Sequence, residues 1–154
     1  MKKSLFALAL VCATALAVSC CPCRKGANKN HSPLHTTEWQ VVQMNGKNIS
    51  SLFSAEELPH LTLSADNSFG GFAGCNAMGG KYTLTPSSAP SQKDIAGTIH
   101  FENIFSTKRY CPNDQVEMAL IAALSKVDAF TIEGNKLFLF ENAELKLVLE
   151  AKQQ

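Results

Sequence analysis

Six cysteines and four histidines are the residues of this chain with the readiest chemistry, and their spacing decides what that chemistry is. Cys21, Cys23 and His31 offer three ligands of the kind zinc takes. A zinc site uses about four, with paired cysteines commonly about two to four residues apart. Here only Pro22 separates the pair, and no second pair follows. No metal site and no cofactor are expected. His35, His60 and His100 fall in separate segments, with His100 on the outward side of a strand.

The run from Gly70 to Lys81 holds five glycines, with Gly74 and Gly79 at the spacing of a phosphate-binding loop. Such a loop continues with Lys and then Ser or Thr, whose hydroxyl ligates magnesium. This chain continues Gly80-Lys81-Tyr82, so that hydroxyl is missing and no nucleotide site is expected. Glycines here serve a bulge or a tight connection, where positive φ or close backbone approach is needed. There is no His-Glu-x-x-His pattern and no Gly-x-Ser-x-Gly elbow. The carboxylates are scattered, and Cys75 as a nucleophile would need a base that the sequence does not name. The expectation is a protein that is not an enzyme.

These residues must be carried by a chain of 154 residues, a length that suits one domain. Residues 1–30 hold five basic groups and no acidic one, so residues 31–154 carry a net charge of −4. A mildly acidic body excludes general nucleic-acid binding, which needs basic surface against phosphate.

Lys2 and Lys3 precede the uncharged run Ser4–Ser19, the basic and apolar regions of a secretory signal. The run is marginal as a permanent span, which needs about 20 apolar residues. It ends in Ala17-Val18-Ser19-Cys20, which looks like a bacterial lipobox, with Ala17 where Leu is commoner. The expected reading is a signal peptide over 1–19, removed before a lipidated Cys20. Two or three acyl chains on that residue hold a protein at a membrane durably. Residues 20–36 read as a flexible tether, and 151–154 as a short tail.

Between them, 37–150 reads as antiparallel β structure with one helix. Strands are expected near Trp39–Met44, His60–Ser64, Ser68–Phe72, Gly80–Leu84, Gly97–Glu102, Ala129–Glu133, Lys136–Phe140 and Leu145–Leu149. Asn45-Gly46, Asp66-Asn67 and Gly134-Asn135 supply turns, and Pro86 to Ser91 a loop. Lys136–Phe140 is apolar on both faces, as in a covered strand, and Leu145, Leu147 and Leu149 mark one buried face. Asp114 with Glu117 reads as a capping box opening a helix over about 114–127. Its stripe is Val116, Leu120, Ile121, Leu124 and Val127.

Cys75 and Cys111 are the two cysteines of this body. An exported protein meets an oxidising compartment, so a disulfide between them is expected. Two buried, reduced thiols are the alternative.

Gly71-Phe72-Ala73-Gly74-Cys75-Asn76, followed by Ser106-Thr107-Lys108-Arg109-Tyr110-Cys111, resembles the META domain, or HslJ-like, family. Trp39 in the first strand and Gly134-Asn135-Lys136-Leu137-Phe138-Leu139 also fit the family pattern. Lys108 matches its basic position, and Arg109 stands where many members have Met. The resemblance covers about Thr37 to Glu150. It implies an α+β domain, a curved, barrel-like antiparallel sheet of about seven or eight strands with one helix packed on it. It also implies an exported bacterial lipoprotein, linked by family association to heat shock and outer-membrane integrity.

The expected function is therefore a non-catalytic binding or stress-response module of the cell envelope. It would be held at a membrane, the outer one for preference, through Cys20, with an envelope protein as partner. Gly74, Asn76, Thr107 and Lys108 are then either a recognition surface or the hydrogen-bonding of a turn. The alternative is a carrier of an apolar ligand, a lipid or a partner's segment, in a cavity lined by Phe69, Phe72, Phe101, Phe138 and Phe140.

Overall fold

The computed structural model describes residues 31–54, 56–88, 95–112 and 114–153. Their elements run β1 (Glu38–Met44), β2 (Lys47–Asn48), β3 (His60–Leu63), β4 (Ser68–Phe72), β5 (Ala77–Pro86) and β6 (Ile95–Ser106). Helix α1 (Gln115–Leu124) follows, then β7 (Ala129–Glu133), β8 (Lys136–Glu141) and β9 (Glu144–Ala151). Neighbouring strands pair antiparallel, and β1 also pairs with β9. Eight strands thus close into a barrel, with β2 added outside β1. Closure removes the open edges that invite aggregation.

Turn chemistry sets the meander. Asn45 and Gly46 take φ of 48° and 75°, the paired left-handed residues of a two-residue hairpin. Asn67 takes φ 62°, and Gly134 φ 60°. Between turns, alternation fills the interior. Trp39, Val41, Leu61, Leu63, Ile99, Ile132, Leu137, Leu139, Leu147 and Leu149 are all wholly inaccessible. Each large apolar side chain buried this way contributes about 1.5–3 kcal/mol before entropy is counted.

Among the described residues, strict alternation is interrupted at three register shifts, one of them between Gly79 and Lys81 where β5 meets β6, within the glycine run expected to hold a bulge. The register between β1 and β9 shifts between Val41 and Gln43, so Met44 joins Val41 in the core. The register between β8 and β9 shifts between Leu139 and Phe140, opposite Leu145. Leu145 is therefore 37% exposed, and only Leu147 and Leu149 of the expected face are buried. Strand β8 is not covered on both sides: Leu137 and Leu139 point inward, while Phe138 and Phe140 are half-buried. The barrel has a single layer, and these two rings lie on its outer side.

The helix is shorter than its apolar pattern, and Asp114 makes no side-chain cap. It crosses the end of the barrel where β6 finishes and β7 begins, setting Leu120, Ala123 and Leu124 in the core with Val127 just beyond.

Residues 31–37 close the opposite end. Ser32 N–H donates to Gly134 O (2.9 Å), Gly134 N–H to His31 Nδ1 (2.9 Å) and Thr36 N–H to Leu63 O (3.1 Å). Leu34 packs on the core, and its carbonyl accepts Trp39 Nε1–H at 3.0 Å. This strap corrects the expected boundary, since 31–36 are docked on the barrel rather than part of a tether. The C-terminal boundary moves as well. Ala151 N–H donates to Asn135 O, and Lys152 N–H to Glu38 O. The segment before residue 31, with Cys20, Cys21 and Cys23, lies outside the described residues, as does Ala89 to Ser91 of the expected loop.

Candidate functional site

The motif residues meet at the helix end of the barrel. Between β4 and β5 the chain makes a tight connection, Ala73–Asn76, closed by Ala73 N–H donating to Asn76 O at 2.8 Å. Gly74 sits there at φ 105°, and a Cβ would come 3.2 Å from the Phe53 ring. The positive φ calls for glycine, and an added Cβ would also press on the Phe53 ring. Gly71 is constrained by space instead, since its Cβ would fall 2.0 Å from His60 O on the neighbouring strand.

Asn76 is 5% exposed and forms the hub. Its backbone N–H donates to Glu117 Oε2 at 2.9 Å. Its side-chain amide donates to Arg109 O (3.2 Å) and to the Glu117 carboxylate (3.1 and 3.3 Å). Its side-chain oxygen accepts Thr107 Oγ1–H at 2.8 Å and Arg109 N–H at 2.7 Å. Arg109 returns a bond from its guanidinium to Cys75 O at 3.0 Å. Thr107 N–H continues the β5–β6 ladder to Ala77 O. The segment after β6, the glycine connection and α1 are thus tied at one residue. Cys75 and Cys111 are joined as a disulfide beside it, with Cα atoms 6.2 Å apart.

This geometry limits the chemistry. Every donor and acceptor of the Asn76 side chain is used within the protein, so none is left for a ligand. Bridged Cys75 offers no thiolate. Lys108 is exposed and makes no hydrogen bond or ion pair among the described residues. It borders a shallow surface depression of about 360 Å³, lined also by Thr107, Arg109, Tyr110, Asp114 and Met118. Tyr110 and Met118 stand 88% and 58% exposed there. Of the motif positions, Gly74, Asn76 and Thr107 serve the fold, while Lys108 and Tyr110 face outward.

Histidines stay apart. His31 binds Gly134, His35 lies 6.3 Å from the Tyr82 ring, His60 Nδ1 is 3.0 Å from Leu58 O, and His100 is exposed. Among the described residues no three His, Cys, Asp or Glu side chains cluster to hold a metal.

A family model for the META domain matches residues 32–154, most of the chain and all of the barrel. The chain belongs to the META domain family. No curated protein matches it. A solved structure titled "NMR structure of the protein from Burkholderia xenovorans" is similar at 23% identity, with a TM-score of 0.57. The match covers 79% of this chain and 85% of that one. At that identity the likeness is one of fold. The META match begins at Ser32, so it includes the strap that the motif-based range from Thr37 left out.

Two members of this META domain's hub were missed from the sequence. Glu117 was assigned to a capping box, yet its carboxylate is buried against Asn76. The signal was its position three residues before Leu120 and seven before Leu124, which places a carboxylate on the buried stripe. Arg109 was read only as a departure from the family pattern. Its backbone N–H, carbonyl and guanidinium all hold the hub.

Proposed function

We propose that this protein is a non-catalytic, membrane-anchored envelope lipoprotein whose META domain acts as a binding or stress-response module. The observation that carries the reading is the hub itself. Residues that could have been a reactive set, Cys75, Asn76, Thr107 and Glu117, are spent on one another. What they stabilise is a surface bearing Lys108, Tyr110 and Met118. The lipobox-like Ala17-Val18-Ser19-Cys20 supports attachment through acylated Cys20. Among the described residues no helix is long and apolar enough to cross a membrane.

The carrier reading finds no support in the interior. Trp39, Tyr82 and Phe130 are each at most 2% exposed among close-packed leucines, and Phe69 meets Phe101 edge-on at 5.1 Å. Rings proposed to line a cavity fill it instead, or lie outside, as Phe138 and Phe140 do.

The test is co-purification from detergent-solubilised envelopes, comparing wild type with Lys108→Glu and with a Tyr110→Ala/Met118→Ala variant, and lipid analysis of the purified protein. A protein partner held by wild type and lost from both variants supports the module. Stoichiometric bound lipid in the purified domain would overturn it in favour of the carrier.

A further inference from the structure

We propose that the free edge running from Ser106 to Tyr110 takes up an extended, acid-bearing segment of a partner protein as an added strand. The inference rests on the binding-module reading above and names the form and chemistry of the partner.

Strand β6 is 12 residues long, yet β7 pairs only with Ile95, Ala96, Gly97 and Thr98. Ile99 N–H still donates to Asp128 O at 3.2 Å. Beyond it, among the described residues, no strand lies on that side of β6. A bulge follows. The β5–β6 register shifts between Gly79 and Lys81, where Asn103 and Ile104 stand against Gly80, and Asn103 takes φ 52°. A bulge bends its strand and can end pairing, a device common beside binding sites.

Past the bulge the two sides of the chain are used unequally. Phe105 pairs with Gly79, and Thr107 N–H donates to Ala77 O at 3.0 Å. Arg109 N–H donates to Asn76 Oδ1 at 2.7 Å, and Arg109 O accepts Asn76 Nδ2–H at 3.2 Å. The Asn76 amide thus stands in for a strand backbone, and the ladder continues past the end of β5. In an extended chain, successive residues turn their N–H and C=O to opposite sides. Ser106 and Lys108 therefore turn theirs away from β5, and Tyr110 follows in the same sense. Among the described residues nothing bonds to these outward backbone groups. They border the depression of about 360 Å³, with Asp114 and Met118 from the start of α1 on its other side. An open strand edge in a cleft of that size binds an extended peptide by strand addition.

Charge selects the occupant. Lys108 is exposed and has no ion pair among the described residues. Lysines on strand edges deter pairing with further copies. Two-fold antiparallel pairing centred on this segment would set Lys108 opposite Lys108, and like charges directly opposite are destabilising. A partner strand with Asp or Glu at that place gains instead. Asp114 borders the same groove on the helix side, so the acidic residue is favoured only in register with Lys108. Lys108 and Tyr110 are two residues apart and share a strand face. The partner therefore carries an apolar residue two positions from its acidic one, set against the exposed Tyr110 and Met118.

The probe is the best binder from a random heptapeptide library, selected on the full chain in detergent micelles. Enriched peptides should carry an acidic and an apolar residue two positions apart. On binding, amide exchange should slow by about tenfold or more at Ser106, Lys108 and Tyr110, and little at Thr107 and Arg109, which are already bonded. N-methylation at alternate peptide positions should weaken binding by about tenfold, and at the intervening positions little, since only the first set faces the edge. Lys108→Glu should exchange acidic for basic residues among the enriched peptides. A binder that slows neither Ser106 nor Lys108, or that tolerates methylation everywhere, overturns the added strand. Enrichment without the acidic residue overturns the assigned chemistry. Protection of Ser106 and Lys108 that rises with protein concentration, without peptide, gives the edge to a second copy and overturns the partner. Co-purification separates this inference from the module. If an envelope protein is held through Lys108, Tyr110 and Met118 while no peptide is enriched, strand addition alone falls. If neither is found, both fall.

Discussion

The Glu117 carboxylate accepts the backbone N–H of Asn76 at 2.9 Å, joining α1 to the glycine connection across 41 positions of sequence. Both residues are buried, at 8% and 5% exposure. The bond replaces the helix cap that Glu117 would otherwise make. It also satisfies an amide that water does not reach.

Removing that acceptor should be costly. Glu117→Ala leaves the Asn76 N–H unpaired in the interior and is expected to cost about 2–3 kcal/mol. Glu117→Gln keeps an acceptor and should cost less, about 1 kcal/mol. Asn76→Asp should be worse than Glu117→Gln, because it faces one carboxylate with another and removes the side-chain donor. Urea unfolding of the three variants gives the order. Equal midpoints for Glu117→Ala and wild type would show that the bond contributes nothing.

The β8–β9 turn holds a residue of the wrong type for its conformation. Ala143 takes φ 65°, next to Asn142 at φ 49°. Left-handed backbone costs a residue with a Cβ about 1 kcal/mol relative to glycine. Ala143→Gly should therefore raise stability by about 0.5–1 kcal/mol, despite the entropy that glycine adds to the unfolded chain. Thermal unfolding measures it, and a lower midpoint would contradict the assignment.

Much of this fold was legible because local chemistry and final structure agree. Asn45-Gly46 can hardly be anything but a hairpin, and Leu61, Leu63, Ile99 and Phe101 alternate as they pack. What could not be read depends on closure. The bulge at Val41/Gln43 arises where the first and last strands, distant in sequence, must meet to close the barrel, and a second at Leu139/Phe140 interrupts the β8–β9 hairpin; they reverse the expected places of Met44 and Leu145. The strap was hidden because Ser32 and Thr36 are held by backbone bonds, which leave no hydropathy pattern. At the site, Asn76, Thr107 and the cysteine pair stood out as motif residues. Glu117 did not, because its partner lies 41 residues away and a capping box explained it locally.

Two titrations should bracket the stability profile. The Ser68 hydroxyl, and then its N–H, hold the Asp66 carboxyl below its ordinary value of 3.8. A lowered folded value means stability present above pH 3.8 and lost as pH falls below it, through the lowered folded value. Lys146 is held above its ordinary 10.5, first by its bond to Glu144 and also by Glu141. Its contribution is complete below pH 10.5 and lost as pH rises through the raised value. Asp66→Asn should flatten the acid limb of the unfolding midpoint, and Lys146→Met the alkaline limb. An unchanged slope in either variant would remove that group from the account.

Attachment is tested at residue 20. Cys20→Ser should abolish acylation and leave the protein out of the membrane fraction, since the lipid is the proposed anchor. Mass spectrometry of wild type should find the mature chain beginning at a lipid-modified Cys20. An unmodified Cys20 in membrane-extracted mature protein would refute the anchor.

The disulfide gives the most discriminating measurement. Cys75 and Cys111 are 36 residues apart, and the bond closes the loop containing β5 and β6. By the chain-entropy relation such a loop contributes about 3–4 kcal/mol. It also anchors the segment whose Thr107 and Arg109 hold Asn76, so its loss should loosen the hub as well as the unfolded-state constraint. Cys75→Ala and Cys111→Ala should each lower stability by a similar amount, and the double variant by little more, because both residues serve one bond. Cys21 and Cys23 are replaced by serine first, to prevent exchange. The single variants divide the two contributions by position. Cys75 is buried at 5% exposure, so Cys75→Ala also leaves a small cavity, while Cys111 is half-buried and adds almost none. Cys75→Ala should therefore be the slightly worse of the pair. Additive losses, or a non-reducing peptide map with both thiols free after periplasmic expression, would dissolve the bridge and return Cys75 to consideration as a free thiol.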